Sequence, residues 1–164
     1  MIRKAVGGLI KNRMNEYLLV EKVKYGEDSG MKIKKKSEWD IPKGGVKKGE
    51  ESLEVALLRE LKEETGSEKY KILKRFDDTL EFTFPAKVQQ QIGYQKQETT
   101  IFLVEYEGEN DKLIPMDDEI NQCKWFKKDQ LLEALTHNEM KDYLTTYYLW
   151  NILWNKKIRV VPGT

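Results

Sequence analysis

The stretch "RELKEETG", residues 59–66, packs Glu60, Glu63, Glu64 and the cation Arg59 into barely two turns of a helical pattern. At about 100° per residue, Leu53, Leu57, Glu60 and Glu64 fall on one row, with Leu61 on one flank and Glu63 on the other. The acids therefore continue the apolar stripe instead of occupying the opposite face. Like charges at this spacing repel by roughly 0.2–0.5 kcal/mol per pair, and acids near a helix C-terminus oppose its macrodipole. A carboxylate on a core-facing stripe must be paired, or its burial is very costly. Arg59 can answer one of them, Glu63 at i+4, through a bidentate contact, but it cannot neutralise three. Oxygen-only donors of divergent geometry suit a hard divalent cation such as Mg²⁺ or Mn²⁺. A salt-bridged surface helix is the alternative that these eight residues leave open.

The loop upstream, "KGGVKKGEE", bears on that choice. Gly44, Gly45 and Gly49 permit backbone shapes that aim carbonyls or amides at a ligand. Counting along the chain gives Gly45, five residues, Glu51, seven residues, then "RELKEETG". This spacing resembles the Nudix box, the signature of hydrolases that cleave nucleoside diphosphates linked to another moiety. Every constrained position matches except the last, where the family has an aliphatic residue and this chain has Ser67. The resemblance implies that Glu60 and Glu64 are the main ligands of divalent metal, Mg²⁺ or Mn²⁺, with Glu63 sharing a second ion and the Gly45 carbonyl contributing. It also implies that Arg59 orients the carboxylates, that Glu51 braces the loop, and that water attacks phosphorus.

Two further stretches narrow the subgroup. "WDIPKGG" resembles the entry to the box in dinucleoside polyphosphate hydrolases and bacterial RNA pyrophosphohydrolases. "LEFTFP" followed by "IGYQKQETTIFLVEY" is similar to a Tyr-x-x-Pro element and a Gly-Gln-(Lys or Arg)-Gln run of the same enzymes. Phe82 stands where that pattern has tyrosine, and Tyr94 is inserted between Gly93 and the Gln95-Lys96-Gln97 run. The resemblance implies substrate contacts by Arg3, Lys43, Phe82, Gln95, Lys96 and Gln97. It also implies a carboxylate outside the box, Glu119 with Asp118 as the fallback, as further ligand or general base. The expected substrates are dinucleoside polyphosphates or 5′-triphosphorylated RNA ends. Nucleoside triphosphate hydrolysis of the housecleaning kind, or nucleotide binding without cleavage, are the alternatives.

Residues 2–11 and 17–23 read as strands joined by the turn "NRMN", and 24–38, with its lysine cluster, as a long exposed loop. The acidic helix should run from about Ser52 to Thr65 and stop at Gly66. "YKILKRF", "LEFTF", residues 99–106 and "CKWF" read as strands, and "KDQLLEAL" and 139–154 as helices. Strands outnumber helices without sustained βαβ alternation, so a mixed sheet with helices on its faces is the economical α/β (α+β) reading. The family resemblance makes this an α/β/α sandwich covering 1–164 as one domain.

The bulk properties agree with a cytoplasmic enzyme. The 164 residues include 29 Lys+Arg and 28 Asp+Glu, a balance that gives no global attraction to nucleic acid or membranes. The lysines of "KIKKKSE" could still steer an anion locally. A single cysteine, Cys123, excludes an intramolecular disulfide and reads as a small buried hydrophobe. The N-terminal "MIRKAVGGLIKN" lacks the apolar run of a signal peptide or membrane span. His137 reads as a break between the last two helices. Met140, Tyr143, Leu144, Tyr147 and Trp154 form the stripe that docks the last one, with a homodimer contact as another use for its aromatics.

Overall fold

Ser52 and Gly66 bracket the acidic helix as the sequence suggests. The Ser52 hydroxyl accepts the Val55 amide at 3.1 Å, and Gly66 ends the helix at φ 76°, its N–H donating to the Lys62 carbonyl. A Cβ at Gly66 would lie 2.0 Å from the Ile114 carbonyl oxygen, so the position requires glycine for space as well as for conformation. The computed structural model describes residues 1–28, 30–109 and 112–149, with the side chains of 25–28 and 32–35 outside that description.

In chain order the elements are β1 (Ile2–Lys11), β2 (Glu16–Asp28), β3 (Met31–Asp40), β4 (Lys43–Gly45), α1 (Leu53–Thr65), β5 (Tyr70–Arg75), β6 (Leu80–Thr83) and α2 (Ala86–Ile92). They continue with β7 (Lys96–Tyr106), β8 (Ile120–Lys127), α3 (Lys128–Ala134), α4 (Asn138–Leu144) and a π-helical turn, Thr145–Leu149. The sheet runs β3-β2-β1-β7-β5, with β4 joined to β1, β6 to β7 and β8 to β2. β1 and β7 are parallel and the other pairs antiparallel, which makes the sheet mixed.

Apolar alternation on the central strands feeds two cores. On one face Leu57 and Leu61 of α1 meet Val6, Ile10, Leu18, Phe102 and Val104. Each such leucine contributes roughly 2 kcal/mol by leaving water. Gly8 allows this close approach, since a Cβ there would already sit 3.3 Å from Leu61. On the other face Leu131, Leu135, Met140, Tyr143 and Leu144 of the α3–α4 region cover Leu9, Leu19 and Ile101. Helices thus flank both faces of a mixed sheet, the sandwich expected.

Two local readings need correction, and one helix went unread. Residues 24–38 are not a loop: β2 and β3 form a long hairpin, turned at Gly30 with φ 80°, and pair antiparallel from Asp28↔Met31 to Val20↔Asp40. The run of charged residues over 24–38 hid the strand signal in the sequence. α2 carries no helical signal in the sequence, because none of its residues is buried and no stripe marks it. The helix expected over 139–154 loosens into the π-helical turn at Thr145, whose hydroxyl bonds back to the Lys141 carbonyl at 2.7 Å. Met140, Tyr143 and Leu144 do dock as expected, Tyr147 is half-buried, and Trp154 lies outside the described residues. Among the described residues no helix is long and apolar enough to cross a membrane.

Candidate active site

β4 runs antiparallel to β1, with Gly44 opposite Val6, and this places the glycine loop over the polar end of α1. Glu60 and Glu64 are 8% and 4% exposed, so the acid row does lie on the buried stripe. At Gly44 a Cβ would fall 2.2–2.4 Å from the Glu60 carboxyl group, so glycine alone leaves this carboxylate its place. Glu64 Oε1 accepts the Lys43 amide at 3.2 Å, and Lys22 Nζ stands 3.9 Å from its other oxygen. Burial raises the Glu64 pKa to about 7, with the Lys22 charge opposing the shift and the charges of Glu60 and Asp117 adding to it.

Arg59 behaves differently from expectation. Its Nε and Nη2 grip Glu50 at 2.8 and 2.9 Å, its Nη1 reaches Glu60 at 2.7 Å, and Glu63 is only a longer contact at 3.3 Å. The bidentate partner is therefore Glu50, not Glu63. The same correction applies to Glu51, expected to brace the loop: it is exposed, whereas Glu50 holds Arg59 and also accepts the Lys47 amide at 2.6 Å. The physical reason is the cap. Ser52 starts the helix, and Glu50 is the acid that reaches across the loop to the Arg59 guanidinium, whose hydrogen bonds hold its pKa down to about 2. Arg59 Nη2 also donates to the Gly45 carbonyl at 2.8 Å, fixing the oxygen expected to face metal.

Among the described residues no three acidic, histidine or cysteine side chains converge at coordination distance, and Arg59 contacts both Glu60 and Glu63. The donor set nevertheless fits a hard divalent cation. It is all oxygen, its most buried member is driven toward neutrality by desolvation, and Gly44 leaves the room that the Glu60 carboxyl group itself occupies.

The carboxylate outside the helix that acts electrostatically on Glu64 is Asp117. The Met116 and Asp117 amides both donate to the Glu63 carbonyl, at 2.8 and 3.0 Å, which ties this loop to the end of α1. Asp117 Oδ1 then accepts the Glu119 amide at 2.9 Å, and the Glu119 carbonyl accepts the Val23 amide at 2.8 Å. The Glu119 side chain is exposed, and Asp118 is exposed too. Asp117, Lys22 and Glu50 escaped sequence reasoning. A lysine inside the apolar run of β2 and the Asx-turn pattern Asp117–Glu119 were the available signals.

Two depressions are lined by residues expected to contact substrate. One, of about 270 Å³, is lined by Lys43, Phe82, Phe84, Gln97, Glu38 and His137 among others. Phe82 and Phe84 pack edge to face at 5.3 Å, leaving Phe82 46% exposed. Phe82 is paired across the sheet with Gln97, and the Gln97 side chain accepts from Arg3 at 2.5 Å. Of the Gln95-Lys96-Gln97 run, Gln97 alone lines this cavity. Lys96 pairs with Glu81 and Glu98, and Gln95 is exposed with its backbone clipped to Met1 and Phe84. Lys43 Nζ holds Asp40 at 3.0 Å. His137 bonds Glu38 at 2.9 Å; burial raises the Glu38 pKa, but Lys36, His137 and Lys24 together bring it down to about 2. The second depression, open and about 540 Å³, holds Arg3, Glu60 and Gly45. Cys123, half-buried, donates to the Glu64 carbonyl at 3.3 Å, and burial and the Glu64 charge push its thiol up to about 12.

A family profile described as "NUDIX domain" matches residues 1–147. The RNA pyrophosphohydrolase of a Nitratiruptor species is 33% identical over 119 residues, covering 64% of this chain and 76% of that protein. That of Campylobacter jejuni is 32% identical over 108 residues, covering 65% and 69%. Among solved structures, the MutT protein from Methanosarcina mazei Go1 superposes with a TM-score of 0.64 at 20% identity, covering 92% of this chain and 95% of that one. A C. elegans Ap4A hydrolase complex gives 0.61 at 22% identity, covering 87% and 93%; both show a shared fold. Members of this family generally use divalent metals and act on nucleotide substrates. The chain belongs to the Nudix family and is a hydrolase of pyrophosphate bonds.

Proposed function

We propose that the chain is a single-domain, metal-dependent pyrophosphohydrolase that acts on 5′-triphosphorylated RNA ends. One observation carries the reading: an open cationic cleft contains Glu60 of the acid row, and its Arg3 bonds Gln97 of the aromatic cavity. The relatives named RNA pyrophosphohydrolase support it. Glu60, Glu63 and Glu64, with the Gly45 carbonyl, are the residues that would hold Mg²⁺ or Mn²⁺. When bound, the metal supplies positive charge against the phosphoryl group and makes water more acidic.

The protein's own residues do the rest. Arg3, Lys43 and Lys22 set positive charge around the polyphosphate, and the Phe82 ring offers its exposed face to the terminal base. Glu119, exposed and outside the acid row, is not engaged as a ligand and accepts the proton of the attacking water. Asp117 holds the turn that presents it. Arg59 fixes the Gly45 carbonyl and Glu60 in one frame.

The test is a substrate panel with product identification in Mg²⁺ or Mn²⁺. It sets a triphosphorylated oligonucleotide against diadenosine tetraphosphate and a nucleoside triphosphate. RNA bearing a 5′-monophosphate should appear at the highest kcat/KM. Preference for the dinucleotide or the free triphosphate reassigns the substrate, and ligand binding without any turnover makes the chain a binding module.

A further inference from the structure

The first turn of α4 forms part of the aromatic cavity, since His137, Glu139 and Met140 line it together with Phe82 and Phe84. α4 has only seven residues, and its N-cap residue, His137, makes no side-chain bond to the helix. A helix this short does not hold its place by its own hydrogen bonds. Met140, Tyr143 and Leu144 seat its buried side in the core, and the turn before it is fastened to β3, the outermost strand of the sheet. The Thr136 amide donates to the Trp39 carbonyl at 3.1 Å, and the Thr136 hydroxyl accepts the Trp39 amide at 2.8 Å. One residue on, His137 Nε2 reaches Glu38 at 2.9 Å. Two successive residues of the turn are thus stitched to two successive residues of β3.

A carboxylate only accepts, so Nε2 carries the proton and donates in either charge state of the imidazole. Glu38 is 4% exposed, and its other oxygen lies 2.9 Å from Lys36 Nζ and 3.7 Å from Lys24 Nζ. Two cations of the β2–β3 hairpin therefore fix this acid independently of the histidine. Truncating His137 would leave the facing carboxylate oxygen buried and short of a donor. α4 also meets β6, the strand that carries Phe82. The reach of His137 to Glu38 therefore sets how far Glu139 and Met140 stand from the exposed Phe82 ring, and so the width that a planar base must fit. Among the described residues neither His137 nor Glu38 bonds a member of the acid row, so the pair acts on the cavity and not on the reacting centre.

We propose that His137 and Glu38 are positioning residues that set the width of the aromatic cavity, acting through the first turn of α4. The proposal rests on the reading above that this cavity receives the terminal base, and it adds the residues that decide how well a base fits. Calorimetry on the full chain with Mg²⁺ compares AMP, which carries a base, with methylenediphosphonate, a pyrophosphate analogue that carries none and is not cleaved. Steady-state kinetics on a triphosphorylated oligonucleotide run beside it. His137→Ala should raise the Kd of AMP and the KM of the oligonucleotide by about 10-fold, the scale of one hydrogen bond to a charged group. Its kcat and its Kd for methylenediphosphonate should stay unchanged. His137→Gln, whose amide nitrogen can take the place of Nε2, should restore both constants. If His137→Ala does not fold, Glu38→Gln weakens the same bond and should give a smaller rise in the same two constants. An unchanged Kd for AMP, equal losses for AMP and the diphosphonate, or no rescue by His137→Gln overturns the proposal. His137-dependent AMP binding by a chain that leaves triphosphorylated RNA intact would keep the positioning role and overturn the assigned substrate instead.

Discussion

Arg59 and Glu50 are joined by two parallel hydrogen bonds, 2.8 and 2.9 Å long, that tie the middle of the acidic helix to the loop before it. Because Arg59 also holds the Gly45 carbonyl and Glu60, Glu50 acts on the acid row through one guanidinium. Glu50→Ala should lower kcat by about 10- to 100-fold, in the range seen when an outer support of a metal site is lost, and should weaken metal affinity in parallel. Glu51→Ala should change neither. Isothermal titration with Mn²⁺ and steady-state kinetics on the two variants check this; equal losses would return the bracing role to Glu51.

Glu64 gives the fold a pH signature in the absence of metal. Its pKa is raised from 4.5 to about 7, so between those values the folded chain holds a proton that the unfolded chain has lost. This carboxyl therefore weakens the fold progressively as pH rises across that window, and by a constant amount above it. Glu64→Gln should abolish turnover yet stabilise the metal-free protein at pH 8 by about 1–2 kcal/mol, with little change at pH 4. Denaturant melts in EDTA at the two pH values read the difference. Glu38 and Glu50, both lowered to about 2, contribute the opposite slope, stabilising above pH 4.5 and failing as pH falls toward 2.

Glu119 and Asp117 should separate in kinetics. Glu119→Gln is expected to lower kcat by roughly 10²-fold or more, the scale of a lost general base, without moving the melting temperature. Asp117→Ala removes the carboxylate that holds the Glu119 amide, and should give a smaller loss of kcat with a flattened pH–rate profile. A full loss in Asp117→Ala beside an active Glu119→Gln would exchange their roles.

Cys123 should be inert toward thiol reagents in the folded chain. Its pKa of about 12 leaves almost no thiolate at pH 8, and its Sγ is engaged with the Glu64 carbonyl. Modification by a disulfide reagent should become fast only in denaturant, and rapid labelling of the native protein would contradict this placement.

The helix and its acids were legible because their signals are local. Ser52 and Gly66 mark its ends, and the row Leu53, Leu57, Glu60, Glu64 shows the carboxylates turned inward. Lys22 and Asp117 reach Glu64 only through sheet pairing and a loop far along the chain, so no window of sequence contains them together. The hairpin of β2 and β3 was hidden for another reason: a lysine-rich strand looks like a loop when its faces are judged by polarity alone. Glu50 and Glu51 differ by one position in a turn, and only the three-dimensional path of the loop decides which acid meets Arg59.

The clearance at Gly44 has an evolutionary consequence. Every acid of the row could persist unchanged while a single added methyl at this glycine evicts Glu60 from its seat. A descendant silenced in that way would keep its shape, its charge and most of its signature, and an inventory of ligands would still count it as an enzyme. Gly44→Ala is therefore expected to displace the Glu60 carboxyl group and lower turnover while leaving the melting temperature in place.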